Sequence, residues 1–531
     1  MVDESPAGTI RDKTAPMPGM VRSAMRMMAG TLTSRLLGLL REILTASYFG
    51  ATRSLDAYYA AYTLANLSRQ LLAEGALSAS FVPTFSRVYD KSGTGPAARL
   101  ARQVMSVLMA LCTAVVALGM LCSPLLVRII APGFGAEQSA MAASLTRALF
   151  PFLLIVSLGA LAMGVLNSVG SFFVPAVAPA ASNLAFIVIL IVFRRNISVW
   201  TMVAAVLVGG LSSMTLQWAM SWKMGCLLIP AKPDISDPDL RGIAALFLPY
   251  AAGLSLNQVN PLVSRMLGSY LDAGIISVLN YSDRIIQLPL GLFVIAISQA
   301  VLPMLSRIDR DDNSGFRLFI RDALRFNLFM VLPASIAMMR LAGPIVHILL
   351  VRGAFGEWAW KATSGALACY AAGLPGMACG TIIMRALYAR GMAKAAVKVT
   401  LFTVCANLSM GALLMRNFSH LGLAAGTSCA FTASAFLGAW MLSRDMGMKI
   451  MLADAPWMTR LLCSCGIMGI AVYLGMNAAP YPAAAPLTAR ALWTAAAAAA
   501  GCGLYAALTA VLRCPEWNWI KTAARRGCKH S

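Results

Sequence analysis

GTLTSRLLGLLREILTASYFGATRSLDAYYAAYTLANLSRQLLAEGALSASFVPTFSR, from Gly30 to Arg87, decides the fold. It holds parts of two apolar runs, 23–45 and 56–82, each long enough to cross a hydrocarbon core of about 30 Å, joined by a short connection. Inside those runs stand Arg35, Arg41, Glu42, Asp56, Arg69 and Glu74. An ionisable side chain at mid-helix costs at least ~2.5–3.5 kcal/mol on insertion scales, so such residues face a protein interior or a wet hollow rather than lipid. The stretch therefore reads as a pair of transmembrane helices built around a charged centre.

The rest of the chain repeats the pattern. Of 531 residues, 59% are hydrophobic and 12% charged, and no apolar-poor segment is large enough for a soluble domain. Further spans are expected near 104–122, 146–168, 175–193, 198–220, 243–271, 276–304, 326–350, 363–384, 396–415, 420–442, 461–478 and 489–512. The expected fold class is an all-α polytopic membrane protein of about fourteen helices. A net charge of +22 raises nucleic acid as a partner, but the basic residues answer the question by their placement. With the N-terminus inside, both termini and the even-numbered connections collect Arg22, Arg26, Arg87, Lys91, Arg99, Arg102, Lys223, Lys232, Arg241, Arg307, Arg310, Arg317, Arg321, Arg390, Lys394, Lys398, Arg444, Lys449, Lys521, Arg525 and Arg526. That is the positive-inside asymmetry of a multi-pass membrane protein with both termini cytoplasmic. Membrane lipids, and no nucleic acid, are the partners it implies.

The first 20 residues have no apolar run, so helix 1 is expected to act as its own insertion signal. The cysteines are scattered without metal or disulfide spacing, and no Walker A, HExxH or GxSxG pattern occurs. No catalytic residue, metal site or cofactor is expected; the chain is not an enzyme but a transporter.

Two halves of the sequence correspond at an offset of about 220 residues. SRLLG at Ser34–Gly38 returns as SRMLG at Ser264–Gly268, FVPTFSR at Phe81 as VLPMLSR at Val301, and Pro124, Phe134-Gly135 and Gly170 as Pro344, Phe355-Gly356 and Gly391. Six spans separate equivalent points, so the copies are parallel, related by a pseudo-two-fold along the membrane normal. The expected organisation is a cytoplasmic tail 1–22, an N-lobe of six helices 23–222, a cytoplasmic linker 223–242, a C-lobe 243–445, two extra helices 446–513 and a cytoplasmic tail 514–531.

Helical rise places Arg35 ~14 Å below the interfacial Arg26, near the midplane, and Arg41 ~9 Å beyond it. Arg69 falls halfway along helix 2, Arg284 at similar depth on helix 8, and Arg265 at the repeat position of Arg35. The acids nearby are Glu42, Asp56, Glu74, Asp272 and Asp283, so the balance is positive. Arginine stays ionised when partly desolvated and grips phosphate oxygens through two parallel donors, which makes an anionic, phosphorylated substrate the natural counter-charge. Blander readings stand beside this one. Any single arginine can serve as a structural partner; Arg41–Glu42 and Asp283–Arg284 can form gating salt bridges; Asp56 suits a helix N-cap as well as a substrate contact; Glu74 can simply neutralise an arginine; His347 reads as a satisfied core histidine.

The stretch quoted at the outset, with APGFG at Ala131, FPFLLIVSLGALAMGVLNS at Phe150, YSDRIIQLPLGLFVIAISQAVLPMLSR at Tyr281 and RALYARG at Arg385, resembles the MurJ (MviN) lipid II flippases over nearly the whole chain. The resemblance implies a MOP exporter fold, a central cationic cavity, and two C-terminal helices that form a groove for a polyprenyl tail. It implies alternating-access carriage of a polyprenyl-diphosphate-linked glycopeptide from the cytoplasmic to the periplasmic leaflet of the bacterial cytoplasmic (inner) membrane, in the service of peptidoglycan and cell-wall biogenesis and cell shape, with the cell-wall synthesis machinery as a further partner. The family's basic residues fall on Arg35, Arg41, Arg69 and Arg284, and its helix 2 acid on Asp56. Thr63 and Ala65 replace a usual Lys and Pro, Glu42 a usual Asp, and Arg265 is not a usual position. No acid lies between 396 and 442, so membrane potential rather than a sodium site is the expected drive. Rival readings are a flippase for another polyprenyl-diphosphate glycan, a multidrug or cation antiporter of the same superfamily, and a non-transporting scaffold.

Overall fold

Every regular element among the described residues is helical, as lipid demands of a chain that must satisfy its own backbone polar groups. The computed structural model describes residues 18–70, 77–255, 259–295, the positions 298, 301, 304, 305 and 308, and residues 312–446 and 455–519. Glu74, Arg307, Arg310, Lys449, Lys521, Arg525 and Arg526, residues 1–17 of the expected N-terminal tail and 520–531 of the C-terminal one lie outside them.

The helices are α1 (Pro18–Phe49), α2 (Arg53–Arg69), α3 (Ser78–Ser92), α4 (Thr94–Leu121), α5 (Ser123–Ile130), α6 (Ala136–Leu149), α7 (Pro151–Ser168), α8 (Phe173–Val192), α9 (Val199–Lys223), α10 (Pro238–Ser255), α11 (Val259–Gly268) and α12 (Ile275–Pro289). A π-helical turn, Leu290–Ile295, extends α12; α13 (Asn313–Leu350), α14 (Glu357–Ala389), α15 (Ala393–Asp445), α16 (Ala455–Ala478) and α17 (Leu487–Val511) complete the chain. Among the described residues, nine helical stretches are long and apolar enough to cross a membrane: α4, α6 with α7, α8, α9 and α13 to α17. Of the other helices, α1, α2 and α12 carry the buried charges of the centre, where α8 and α9 join them. Ser419, at φ 49° and ψ −129°, breaks α15 between the two spans expected at 396–415 and 420–442. The two arms then fold together closely enough that a Cβ on Gly426 would lie 2.7 Å from the Gly411 nitrogen, the close approach that small residues permit between membrane helices.

Helices before Lys223 pack mainly on one another, with α1 on α8 and α7 on α9; those after Val259 do likewise, with α11 on α15 and α14 between α13 and α15, while α10 packs on α3 and α4 of the first half. The halves meet most intimately where α1 ends and α2 begins. Ala354 N–H donates to Ser47 O at 2.8 Å, Tyr281 Oη–H to Gly50 O at 2.9 Å, and Gly133 N–H to Ser269 Oγ at 3.0 Å. Tyr281 is edge-on to both Tyr59 and Phe355, which seals the junction with aromatic carbon. Gly274 opens α12 with φ 90°, and a Cβ there would sit 2.5 Å from Ala51 O, so conformation and space both require glycine.

Helices α16 and α17 lean on α13, tied near one end by Arg325 Nε at 3.5 Å from the fully buried Glu516 and by Tyr505 Oη–H to Phe329 O at 2.7 Å. Near the other end, buried His347 shares a 2.8 Å hydrogen bond with Tyr481 Oη.

Replacing Gly274 by alanine forces a β-carbon into the left-handed region against Ala51, at a cost of roughly 1–3 kcal/mol. The expected result is a lower melting temperature in detergent and readier labelling of a cysteine placed at Ser277; a variant indistinguishable from the parent in both assays would show that this junction is not closed by close packing.

Candidate substrate-binding site

The contact between the halves beneath the end of α1 is organised by one carboxylate. Glu42, on α1 and only 6% exposed, accepts from Arg41 Nη2–H at 2.8 Å and from Tyr59 Oη–H at 3.3 Å, and Arg284 Nε of α12 lies 3.8 Å from the same Oε1 that Arg41 uses. Arg41 and Glu42 are chain neighbours whose Cα–Cβ bonds diverge on the helix, so the long guanidinium stem folds back to reach its neighbour. Its other nitrogen donates to Asn183 Oδ1 of α8 at 3.1 Å, and its plane lies 5.3 Å over Phe186. The space enclosed by Arg41, Glu42, Arg284, Tyr58, Tyr59 and Tyr62 is only about 10 Å³, room for a single water. Two guanidinium groups against one carboxylate leave the centre positive.

Arg41 also faces a neighbouring hollow of about 250 Å³, where Arg69, Asn183, Gln217 and Ser213 join it. Arg69 Nε–H donates to Asn66 Oδ1 at 2.9 Å. Arg35 lies elsewhere, half across the seam: a methyl group on Gly291 of the π-helical turn would fall 1.8 Å from its Nη1, so the guanidinium occupies the space that glycine vacates.

Arg265 and Asp283 belong to a third hollow, on the other side of α12. Arg265 donates to Asn280 Oδ1 at 2.9 Å, to Ile276 O at 3.4 Å and, across the halves, to Thr63 Oγ1 at 3.4 Å. Asp283 accepts from Gln287 Nε2–H at 2.6 Å. Successive residues on a helix point about 100° apart, which is why Asp283 lines this hollow while Arg284 faces Glu42. The sequence-predicted arginines thus divide: Arg41 lines both the small space at Glu42, with Arg284, and the larger hollow, with Arg69; Arg35 packs on the π-helical turn, and Arg265 stands in a separate chamber. Arg265 touches Thr63, so two of the positions at which the chain departs from the resembled pattern meet.

Asp56 accepts from Gly274 N–H at 2.6 Å, Ser277 N–H at 2.8 Å and Ser277 Oγ–H at 2.6 Å. It is 2% exposed and caps the first turn of α12, whereas α2 itself is capped by Thr52. Asp56 is an N-cap, but of a helix 218 residues away. Sequence reading passed over Asn183, Asn280 and Tyr59; the available signal was an amide or hydroxyl at mid-span, which lipid tolerates only when partnered. In the helices where an acid was sought, Asn407 Nδ2–H donates to Asn260 Oδ1 at 3.2 Å and Thr427 Oγ1–H to Asn407 Oδ1 at 3.0 Å, an uncharged network. Among the described residues no group of three metal-ligating side chains occurs.

Apolar helices long enough to cross a membrane, enclosing partnered charges, define a multi-pass membrane transporter. Comparison with known proteins narrows this. The profile of the family "Lipid II flippase MurJ" matches residues 45–481. A probable lipid II flippase MurJ of Rhizobium meliloti is 30% identical over 529 residues, covering 96% of this chain and 97% of its own length, and one of Rhizobium tropici is 32% identical over 420 residues, covering 77% and 78%. Among solved structures, a lipid II flippase MurJ in an inward closed conformation superposes with a TM-score of 0.76 at 24% identity, over 92% of this chain and 98% of that one. An inward-facing multidrug resistance MATE transporter of the MOP superfamily gives 0.66 at 16% identity, over 80% and 98%. The chain belongs to the lipid II flippase MurJ family, a family of transporters rather than enzymes.

Substituting Asp56 by alanine strands the donors at the start of α12 and is expected to cost about 2–4 kcal/mol, while asparagine, which keeps one acceptor oxygen, costs roughly half as much. Thermal unfolding of the two variants beside the parent measures this; equal losses would mean that the carboxylate acts through its charge alone.

Proposed function

We propose that this chain moves lipid II, a polyprenyl-diphosphate-linked glycopeptide, from the cytoplasmic to the periplasmic leaflet of the inner membrane. The observation that carries the reading is the Glu42 centre: Arg41 and Arg284, from opposite halves, share one carboxylate, and Arg41 opens onto the hollow that holds Arg69. A diphosphate entering that hollow supplies the anionic charge the site lacks and competes with Glu42 for Arg41 and Arg284, loosening the tie between the halves. Arg35, beside the π-helical turn of α12, senses the same movement.

The halves act as parallel lobes, 23–222 and 243–445, with both termini cytoplasmic; the repeated pairing of α1 on α8 and α11 on α15 supports that division. Helices within 446–513 guide the isoprenoid tail in lipid. In this orientation the closed junction at Gly50, Asp56 and Gly274 is periplasmic, and it must part for release. Return is favoured by self-repulsion of the emptied arginines and by the inside-negative potential, worth about 2.3 kcal/mol per charge per 100 mV if the whole field is crossed. An antiporter of organic cations would need free acids at the centre, and among the described residues the acid there, Glu42, is held by two arginines and a tyrosine.

Depletion of the chain in its native cell should stop lipid-linked precursor from reaching the periplasmic leaflet. Re-expressed Arg41→Ala or Arg284→Ala should fail to restore it, with transport down about a hundredfold or more for loss of a bidentate charge contact, and Arg284→Lys should restore it only in part. Full rescue by both alanine variants at normal expression would assign the centre a purely structural role.

A further inference from the structure

The chamber that holds Arg265 and Asp283 is the largest hollow described, about 730 Å³, and the diphosphate reading leaves it without an occupant. It is long. Tyr370 and Tyr388, both on its wall, are 18 residues apart on α14, so it extends about 27 Å along that helix, from the level of Arg265 toward the end at Ala389. Most of its polar wall is already satisfied internally: Thr403 Oγ1–H donates to Ser434 Oγ at 2.6 Å, and Asn260, Asn407 and Thr427 form the network described above. Arg265 is held by Asn280, and Asp283 by Gln287. Arg385 differs. It is half-buried, it lines the chamber near the α14 terminus, and among the described residues it has neither a hydrogen-bond nor an ion-pair partner.

A guanidinium kept free at the mouth of an elongated hollow asks for an anion, yet the wall suits more than an anion. Asp283 supplies the sole carboxylate among the lining residues, and Tyr370, Tyr388, Phe431 and Met377 supply aromatic and apolar surface between the charged ends. A diphosphate is compact and doubly negative, and it would leave most of that length empty. An extended peptide of five residues measures about 17 Å and carries carboxylate and amine along one strand. We infer that the chamber seats the peptide arm of the headgroup, with a peptide carboxylate on Arg385 and an amine toward Asp283, while the diphosphate occupies the Arg41–Arg69–Arg284 space. The inference rests on the flippase reading. It makes Arg385 a specificity residue that acts on the part of the substrate a shorter polyprenyl-diphosphate saccharide lacks.

The test uses the full chain in liposomes, with two substrates: a polyprenyl-diphosphate disaccharide bearing a carboxylate-terminated pentapeptide, and the same lipid without the peptide. Arg385→Gln should slow transport of the peptide-bearing lipid about tenfold, the worth of one charge-assisted hydrogen bond, and leave the peptide-free lipid at the parent rate; Arg385→Lys should recover part of the loss. Equal slowing of both lipids would place Arg385 with the diphosphate or in the fold, and no slowing of either would leave the chamber without this ligand; each outcome overturns the inference while the flippase reading stands. A parent chain that moves neither lipid would overturn both.

Discussion

A carboxylate removed from water between two guanidinium groups is stable only while both remain. The Born cost of burying such an ion is several kcal/mol even after relaxation, and the mutual attraction of close charges offsets it only with good geometry and further hydrogen bonds. Glu42 has both, from Arg41 on its own helix, Arg284 on α12 and the hydroxyl of Tyr59 on α2. Three helices from two halves of the chain are therefore held in register by one side chain, and the hollows on either side of α12 take their shapes from that register. A second anion introduced nearby changes the arithmetic for the whole group, and on this rests the proposal that occupancy is coupled to the arrangement of the halves.

The second constraint is the closed junction. Asp56 projects from the first turn of α2 and meets the donors at the start of α12, where the helix dipole adds its own positive end. The junction is thus an N-cap made in trans, reinforced by Tyr281 on Gly50 and by Ala354 on Ser47. None of these bonds is worth much alone, since net contributions cluster near 1 kcal/mol for neutral pairs. Together they give an interface firm enough to define one state and composed of contacts separable enough to leave it.

Much of this was legible in the sequence, and for identifiable reasons. Helical character follows from apolar length, and the charged helices were found because Arg35, Arg41, Arg69, Arg265 and Arg284 stand out against lipid-soluble neighbours. What did not follow was the company each arginine keeps. Helical rise gives depth but not azimuth, so residues of equal depth were read as one cluster, whereas α12 turns Arg284 toward Glu42 and Asp283 away from it. Asp56 was recognised as a capping residue in type, yet the helix it caps lies 218 residues on, a pairing no local pattern encodes. Uncharged partners such as Asn183 and Asn280 were missed because a single amide in an apolar run is a faint signal beside a charge.

Helix α12 is a rod clamped by foreign hands at both ends. The other half of the chain grips its start through Asp56 and crowds its π-helical extension through Arg35 at Gly291, while adjacent residues near its middle, Asp283 and Arg284, look into different rooms. Any roll of that rod turns both side chains at once, so the walls of the two compartments move together.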